Sequence, residues 1–244
     1  MIIVISFFAF VATLCGGLLA LRFKDKLHLI LGFSAGAVIG VAFFDLLPES
    51  IELGGKFFSS LTVTSIVALG FLIYLVLDRV VFLHAHDYEG HEHGSEQAHE
   101  SRGILGAGSL SIHSFLDGVA IGLAFQVSAA IGAIVAVAVL THDFSDGINT
   151  VNLILKNKGE RKNAFRWLIV DAAAPVLGAA STLFFHLPEQ ILSIVLALFA
   201  GFFLYIGASD LIPESHHAHP KFLTTAMTIA GAAVLYIAIH VANF

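Results

Sequence analysis

The chain has 244 residues, of which 57% are hydrophobic and only 12% carry charge, with a formal net charge of −6. A globular soluble domain has roughly 25% charged residues, so this composition excludes one. A single cysteine, Cys15, excludes an internal disulfide and a thiolate metal cluster.

Apolar runs long enough to cross a bilayer recur from end to end, and in lipid such runs are helical because every backbone group must be satisfied within its own segment. Eight helices are expected. The first covers 2–21; it lacks a basic segment ahead of it and its positive charges, Arg22, Lys24 and Lys26, follow it. That pattern reads as a retained span rather than a signal peptide. The second covers 29–47. Gly32, Gly36 and Gly40 form a stripe that lets another helix approach, and the segment VAFFDLLPES (41–50) ends it with Asp45 and Glu49. The third covers 61–83.

Residues 84–102, HAHDYEGHEHGSEQAHESR, are the one strongly polar linker, with histidines at His84, His86, His91, His93 and His99. The expectation is a solvated loop whose histidines can collect metal weakly. The fourth helix, 103–126, carries HSFLDG at 113–118, and the fifth, 129–155, carries HDFSDG at 142–147. The sixth, 163–184, holds one intramembrane acid, Asp171. The seventh, 188–212, leads into YIGASDLIPES (205–215), with Asp210 and Glu214, and His216, His217 and His219 follow. The eighth covers 219–242.

With the N-terminus outside, eleven of the twelve basic residues fall on the inner side and only Lys56 lies outside. This skew orients the chain with both termini external and the 84–102 loop cytoplasmic. DLLPES and DLIPES then end the second and seventh helices on opposite faces of the membrane. That points to an inverted-topology repeat of helices 1–3 and 6–8 about a central pair, a 3+2+3 arrangement common among secondary transporters.

The repeated hexapeptides carry the chemistry. Positions i and i+4 lie about 40° apart on a helix and share a face, so His113 pairs with Asp117 and His142 with Asp146. Ionisable residues at that depth face a bundle interior or a water-filled path. Two imidazoles and two carboxylates suit a borderline dication: Zn²⁺ first, with Fe²⁺, Mn²⁺ and Cd²⁺ as alternatives. Asp143 and Ser114, each next to a histidine, extend this site or begin a second. Asn149 lies a turn further along the His142/Asp146 face, and Asp171 is a peripheral ligand or gate. Gly118 and Gly147 are expected to let the fourth and fifth helices approach. Two buried His–Asp hydrogen bonds that merely lock helices would be the structural alternative.

These motifs resemble those of the ZIP family (Zrt/Irt-like protein) of divalent metal transporters, and the likeness covers nearly the whole chain. The family's helix 4 and helix 5 motifs read His-Asn-x-Pro-Glu/Asp-Gly and His/Gln-Asp/Glu-x-Pro-Glu/Asp-Gly. Here Ser114 stands for the Asn, Leu116 and Ser145 for the prolines, and both final acids are aspartate. The resemblance implies an all-α membrane protein of eight transmembrane helices, forming one transporter domain over 1–244. It implies a His-rich internal loop and a first metal site at His113, Asp117, His142 and Asp146. It leaves a second site to be built from Asp143, Ser114 and the shared aspartates. It also implies that helices 1, 4, 5 and 6 move against 2, 3, 7 and 8. The function expected is secondary transport of a divalent cation, zinc foremost, into the cytoplasm across the plasma (inner) membrane. Cation would enter past Asp45 and Glu49 and leave past Asp210, Glu214, His216 and His217. The partners expected are the metal ion and lipid, with no nucleic acid, and the chain could pair as a homodimer. A metal-selective channel and an intramembrane metalloenzyme are the rival readings. The second lacks a His-Glu-x-x-His or Gly-x-Ser-x-Gly motif.

Overall fold

The computed structural model describes residues 2–22, 28–86, 96–216 and 222–242, and among them it contains helices and no strands. We number the helices α1 (Ile2–Arg22), α2 (28–54), α3 (Ser60–His86), α4 (Glu96–Val127), α5 (Ala129–Lys156), α6 (Arg161–Ser181, tightened into a 3-10 turn at Thr182–Phe184), α7 (189–216) and α8 (Phe222–Ala242). All eight are long and apolar enough to span a membrane. α2, α5 and α7 are the most buried, whereas α1, α3 and α8 expose the most apolar surface, including Phe7, Leu72 and Ile229. The protein is an integral membrane protein, and those outer faces meet lipid.

Four expected boundaries need correction. α2 does not stop at residue 47. A π-turn at Ala42–Leu46 carries it through Pro48 to Gly54, and a second π-turn, Ile206–Leu211, carries α7 through Pro213. In each copy the residue before proline donates one register further back than usual, Leu47 N–H to Ala42 O and Ile212 N–H to Gly207 O. A proline has no N–H and its ring crowds the carbonyl four residues earlier; widening that turn accommodates the ring without breaking the rod. The polar linker is also shorter than 84–102, because residues 84–86 continue α3 and 96–102 begin α4. Glu96, Gln97, Ala98 and Glu100 are good helix formers.

α4 and α5 are joined through Ser128 alone, whose hydroxyl accepts from the Ile131 N–H at 3.1 Å and caps α5. This short link makes them an antiparallel pair. His113 and His142 sit at similar separations before and after it, about 22 Å at 1.5 Å per residue, and so reach the same depth. Their glycines, however, do not serve the α4–α5 contact. A Cβ on Gly118 would strike the Pro175 backbone of α6, and one on Gly147 would strike the Thr13 carbonyl of α1. Reciprocally, Gly178 meets the Phe115 carbonyl and Gly16 the Phe144 carbonyl. Each hexapeptide is thus pressed against an outer neighbour at the same two of its positions, the third and the sixth. Gly36 and Gly231 make a similar exchange between α2 and α8, as do Gly70 and Gly201 between α3 and α7. Small residues at such crossings let backbones touch where lipid offers no hydrophobic drive to associate.

Candidate metal centre

α4 and α5 bring His113, Asp117, His142 and Asp146 together, all buried, with one ligand atom from each within 4.8 Å of the others. Asp117 Oδ2 lies 3.1 Å from Nε2 of both histidines; Asp146 Oδ2 lies 3.7 Å from Nε2 of His113 and 3.9 Å from that of His142. Four ligands at the usual Zn–N and Zn–O lengths stand about 3.3–3.5 Å apart along a tetrahedron's edges. The four His–Asp separations bracket that edge, while the remaining pairs, within 4.8 Å, have to draw in by up to about 1.5 Å for a tetrahedral dication.

The imidazoles are oriented for this. His142 Nδ1 is 3.0 Å from the Ala138 carbonyl one turn back on its own helix. A carbonyl only accepts, so Nδ1 carries a hydrogen, and Nε2, hydrogen-bonded to Asp117 Oδ2 at 3.1 Å, is the nitrogen that a metal would engage. His113 Nδ1 is 3.1 Å from the Tyr74 hydroxyl of α3. Phe203 of α7 stands edge-on to His142, ring centroids 5.7 Å apart, and closes that side with hydrocarbon. Isolated carboxylates cost several kcal/mol each to bury. A cluster with two of them calls for positive charge between its members, from a bound cation or from hydrogens on the imidazoles.

The remaining candidates separate. Ser114 does not face the cluster: its hydroxyl donates to Asp171 Oδ1 at 2.9 Å. Asp171 Oδ2 accepts from the Thr150 hydroxyl at 2.9 Å, so this α6 carboxylate clasps α4 and α5 rather than offering a vacant ligand atom. The sequence reading missed Thr150. It continues the four-residue spacing of His142 and Asp146, and Asn149, proposed for that face, is half-buried. Tyr74 was also missed; its only sequence signal is a hydroxyl-bearing ring in the middle of an apolar helix. Asp143 is fully buried, and neither of its oxygens has a hydrogen-bond partner. It stands outside the four-atom group but within Coulombic reach of Asp117, Asp146 and Asp171. Asp45 is buried on the α2 π-turn with one oxygen unpartnered, and Glu49 is half-buried a turn later. His91, His93 and His217 lie outside the described residues, as do the side chains of His84, His86, His99, Asp210, Glu214 and His216.

Comparison with known proteins agrees with this chemistry. The family model described as ZIP Zinc transporter matches residues 84–238. Zinc transporter ZupT of Corynebacterium aurimucosum is 28% identical over 93% of this chain and 92% of its own length. Zinc transporter ZIP6 of Homo sapiens is 33% identical over 47% of this chain, a match covering 15% of that longer protein. Zinc transporter ZIP13 of Pongo abelii is 28% identical over 76% of this chain and 57% of its own length.

Proposed function

The chain belongs to the ZIP zinc-transporter family, and from that premise we propose that it carries Zn²⁺ toward the cytoplasm through the site between α4 and α5. The observation that carries this reading is the four buried candidate ligand atoms of His113, Asp117, His142 and Asp146, gathered within 4.8 Å of one another. Two carboxylates neutralise the dication, which makes its dehydration inside the membrane tolerable, and two neutral imidazoles add affinity without charge. Asp143, buried and without a hydrogen-bond partner, adds negative potential beside the site and extends it toward the next stage of the path.

In this reading the chain is one transporter domain. α1–α3 and α6–α8 are inverted repeats about the α4–α5 pair, a relation supported by the matched π-turns and by the like packing of the two hexapeptides on α6 and α1. Cation enters past Asp45 and Glu49 and leaves toward Asp210, Glu214 and the inner histidines. Both termini face outward at the plasma membrane, and the His-rich linker faces the cytoplasm, where it gathers released metal.

The test is Zn²⁺ uptake into proteoliposomes by the natural chain and by Asp117→Asn/Asp146→Asn. Saturable uptake by the first and none by the second, at matched insertion, is expected. Normal transport by the double variant would refute the site. Thiol labelling of Ser95→Cys on a Cys15→Ser background tests the orientation; labelling from outside intact cells would reverse it.

A further inference from the structure

His113 and His142 are oriented by different kinds of group. The Ala138 carbonyl can only accept, so it selects one tautomer of His142. The Tyr74 hydroxyl can accept or donate. Its ring stands edge-on to His113, centroids 5.8 Å apart at 84°. That ring is wedged against Phe202 and Tyr205 of α7, at 5.5 and 5.3 Å. Tyr205 in turn donates its hydroxyl to Asp78 Oδ2 of α3 at 2.7 Å. The Tyr74 oxygen is therefore held in place by a packed α3–α7 unit, while the histidine it meets belongs to α4.

We propose that Tyr74 is a positioning residue for the transported cation: its oxygen accepts the Nδ1 hydrogen of His113 and so keeps Nε2 bare for the metal. The inference rests on the four-ligand reading above. When a cation is bound, Nε2 must give its lone pair, and the imidazole hydrogen sits at Nδ1, where the Tyr74 oxygen accepts it. When the cation leaves, the hydrogen can move to Nε2, which is 3.1 Å from Asp117 Oδ2 but is not hydrogen-bonded to it in this arrangement, so the ring has to turn to reach that oxygen. Nδ1 then accepts from the same hydroxyl. A carbonyl at this place would leave Nδ1 facing a lone pair in the empty state, and a hydrocarbon would leave it unsatisfied in both. A hydroxyl serves both states, so Tyr74 leaves either tautomer of His113 open, whereas the Ala138 carbonyl requires hydrogen at Nδ1 of His142. Because Tyr74 belongs to a different helix, the aid it gives to ligation depends on how α4 sits against α3.

Tyr74→Phe removes one oxygen and keeps the ring that packs on Phe202 and Tyr205. Zn²⁺ affinity of the purified full chain, read by competition with a chelating dye, should fall about 10–100-fold, the usual loss when a ligand histidine is deprived of its hydrogen-bond partner. Tyr205→Phe, which does not touch His113, should lose less. In a His113→Ala background Tyr74→Phe should add nothing, because the group it positions is gone; a purely structural role would persist there in full. Unchanged affinity of Tyr74→Phe, or an equal loss in the His113→Ala background, overturns the proposal. Zn²⁺ affinity unaltered by His113→Ala would instead overturn the four-ligand reading itself. The ¹⁵N resonances of His113 in the unaltered chain, assigned by their loss in His113→Ala, give an independent measurement. With Zn²⁺ bound, Nδ1 should carry hydrogen, and a bare Nδ1 would contradict the proposed role.

Discussion

HSFLDG on α4 and HDFSDG on α5 occupy equivalent places yet are held differently. Both lay their third-position carbonyl and their glycine against an outer helix, α6 in one case and α1 in the other. Both aim His and Asp into one cluster. The second position differs most: Ser114 is engaged by Asp171, whereas Asp143 is a buried carboxylate with no hydrogen-bond partner. At the fourth position Leu116 is half-buried and Ser145 is buried, its hydroxyl 3.4 Å from that of Ser34 on α2, which donates to the Thr141 carbonyl at 2.6 Å. The α4 half is tied through side chains to α3 and α6, and the α5 half to its own backbone and to α2. The repeated hexapeptides supply matching His–Asp pairs, and the unmatched positions decide what each pair leans on.

The largest expected difference between the halves lies in the carboxylates. Asp117 touches both imidazoles at 3.1 Å, whereas Asp146 stands 3.7 and 3.9 Å from them. Asp117→Asn should weaken Zn²⁺ binding by about 3–5 kcal/mol, the scale of breaking a buried charge pair. Asp146→Asn should lose less, and calorimetric titration of the two variants ranks them. A greater loss for Asp146→Asn would make α5 the dominant half.

The glycines should show no difference. Gly118→Ala and Gly147→Ala each drive a methyl into a neighbouring backbone, so each should destabilise the fold by about 1–3 kcal/mol, the usual range for overpacking. Thermal unfolding in detergent measures both. A variant that unfolds like the natural chain would show that the two crossings are unlike.

The second positions should respond in opposite senses. Ser114→Ala removes one hydroxyl from Asp171 and should cost about 1–2 kcal/mol of stability. Asp143→Asn replaces a buried carboxyl group that has no hydrogen-bond partner, so the metal-free protein should melt at least as high while its transport slows. A lower melting temperature for Asp143→Asn would mean that the carboxyl group stabilises the metal-free state. The smallest effect should come from the linker: deletion of residues 86–99 should leave most of the initial Zn²⁺ uptake rate, because the groups able to replace a cation's water lie in α4 and α5. A correctly inserted but inactive deletion variant would place an essential step in the linker.

Much of this was legible in the residues. The eight spans follow from runs of apolar side chains, because the bilayer dictates helix and sets its length. The two His–Asp pairs of the buried cluster follow from the spacing of four within each hexapeptide, since helical geometry alone puts His113 beside Asp117 and His142 beside Asp146. What lay beyond the sequence was every choice made between helices. Gly118 and Gly147 read as a seam between α4 and α5 but meet α6 and α1. Ser114 read as a ligand but donates to Asp171. Pro48 read as a helix end, yet a π-turn carries the helix past it. Local periodicity determines which side chains share a face of one helix. Which foreign backbone or hydroxyl that face meets depends on contacts between residues far apart in the chain, such as Tyr74 with His113 and Thr150 with Asp171, and packing of the whole bundle decides those.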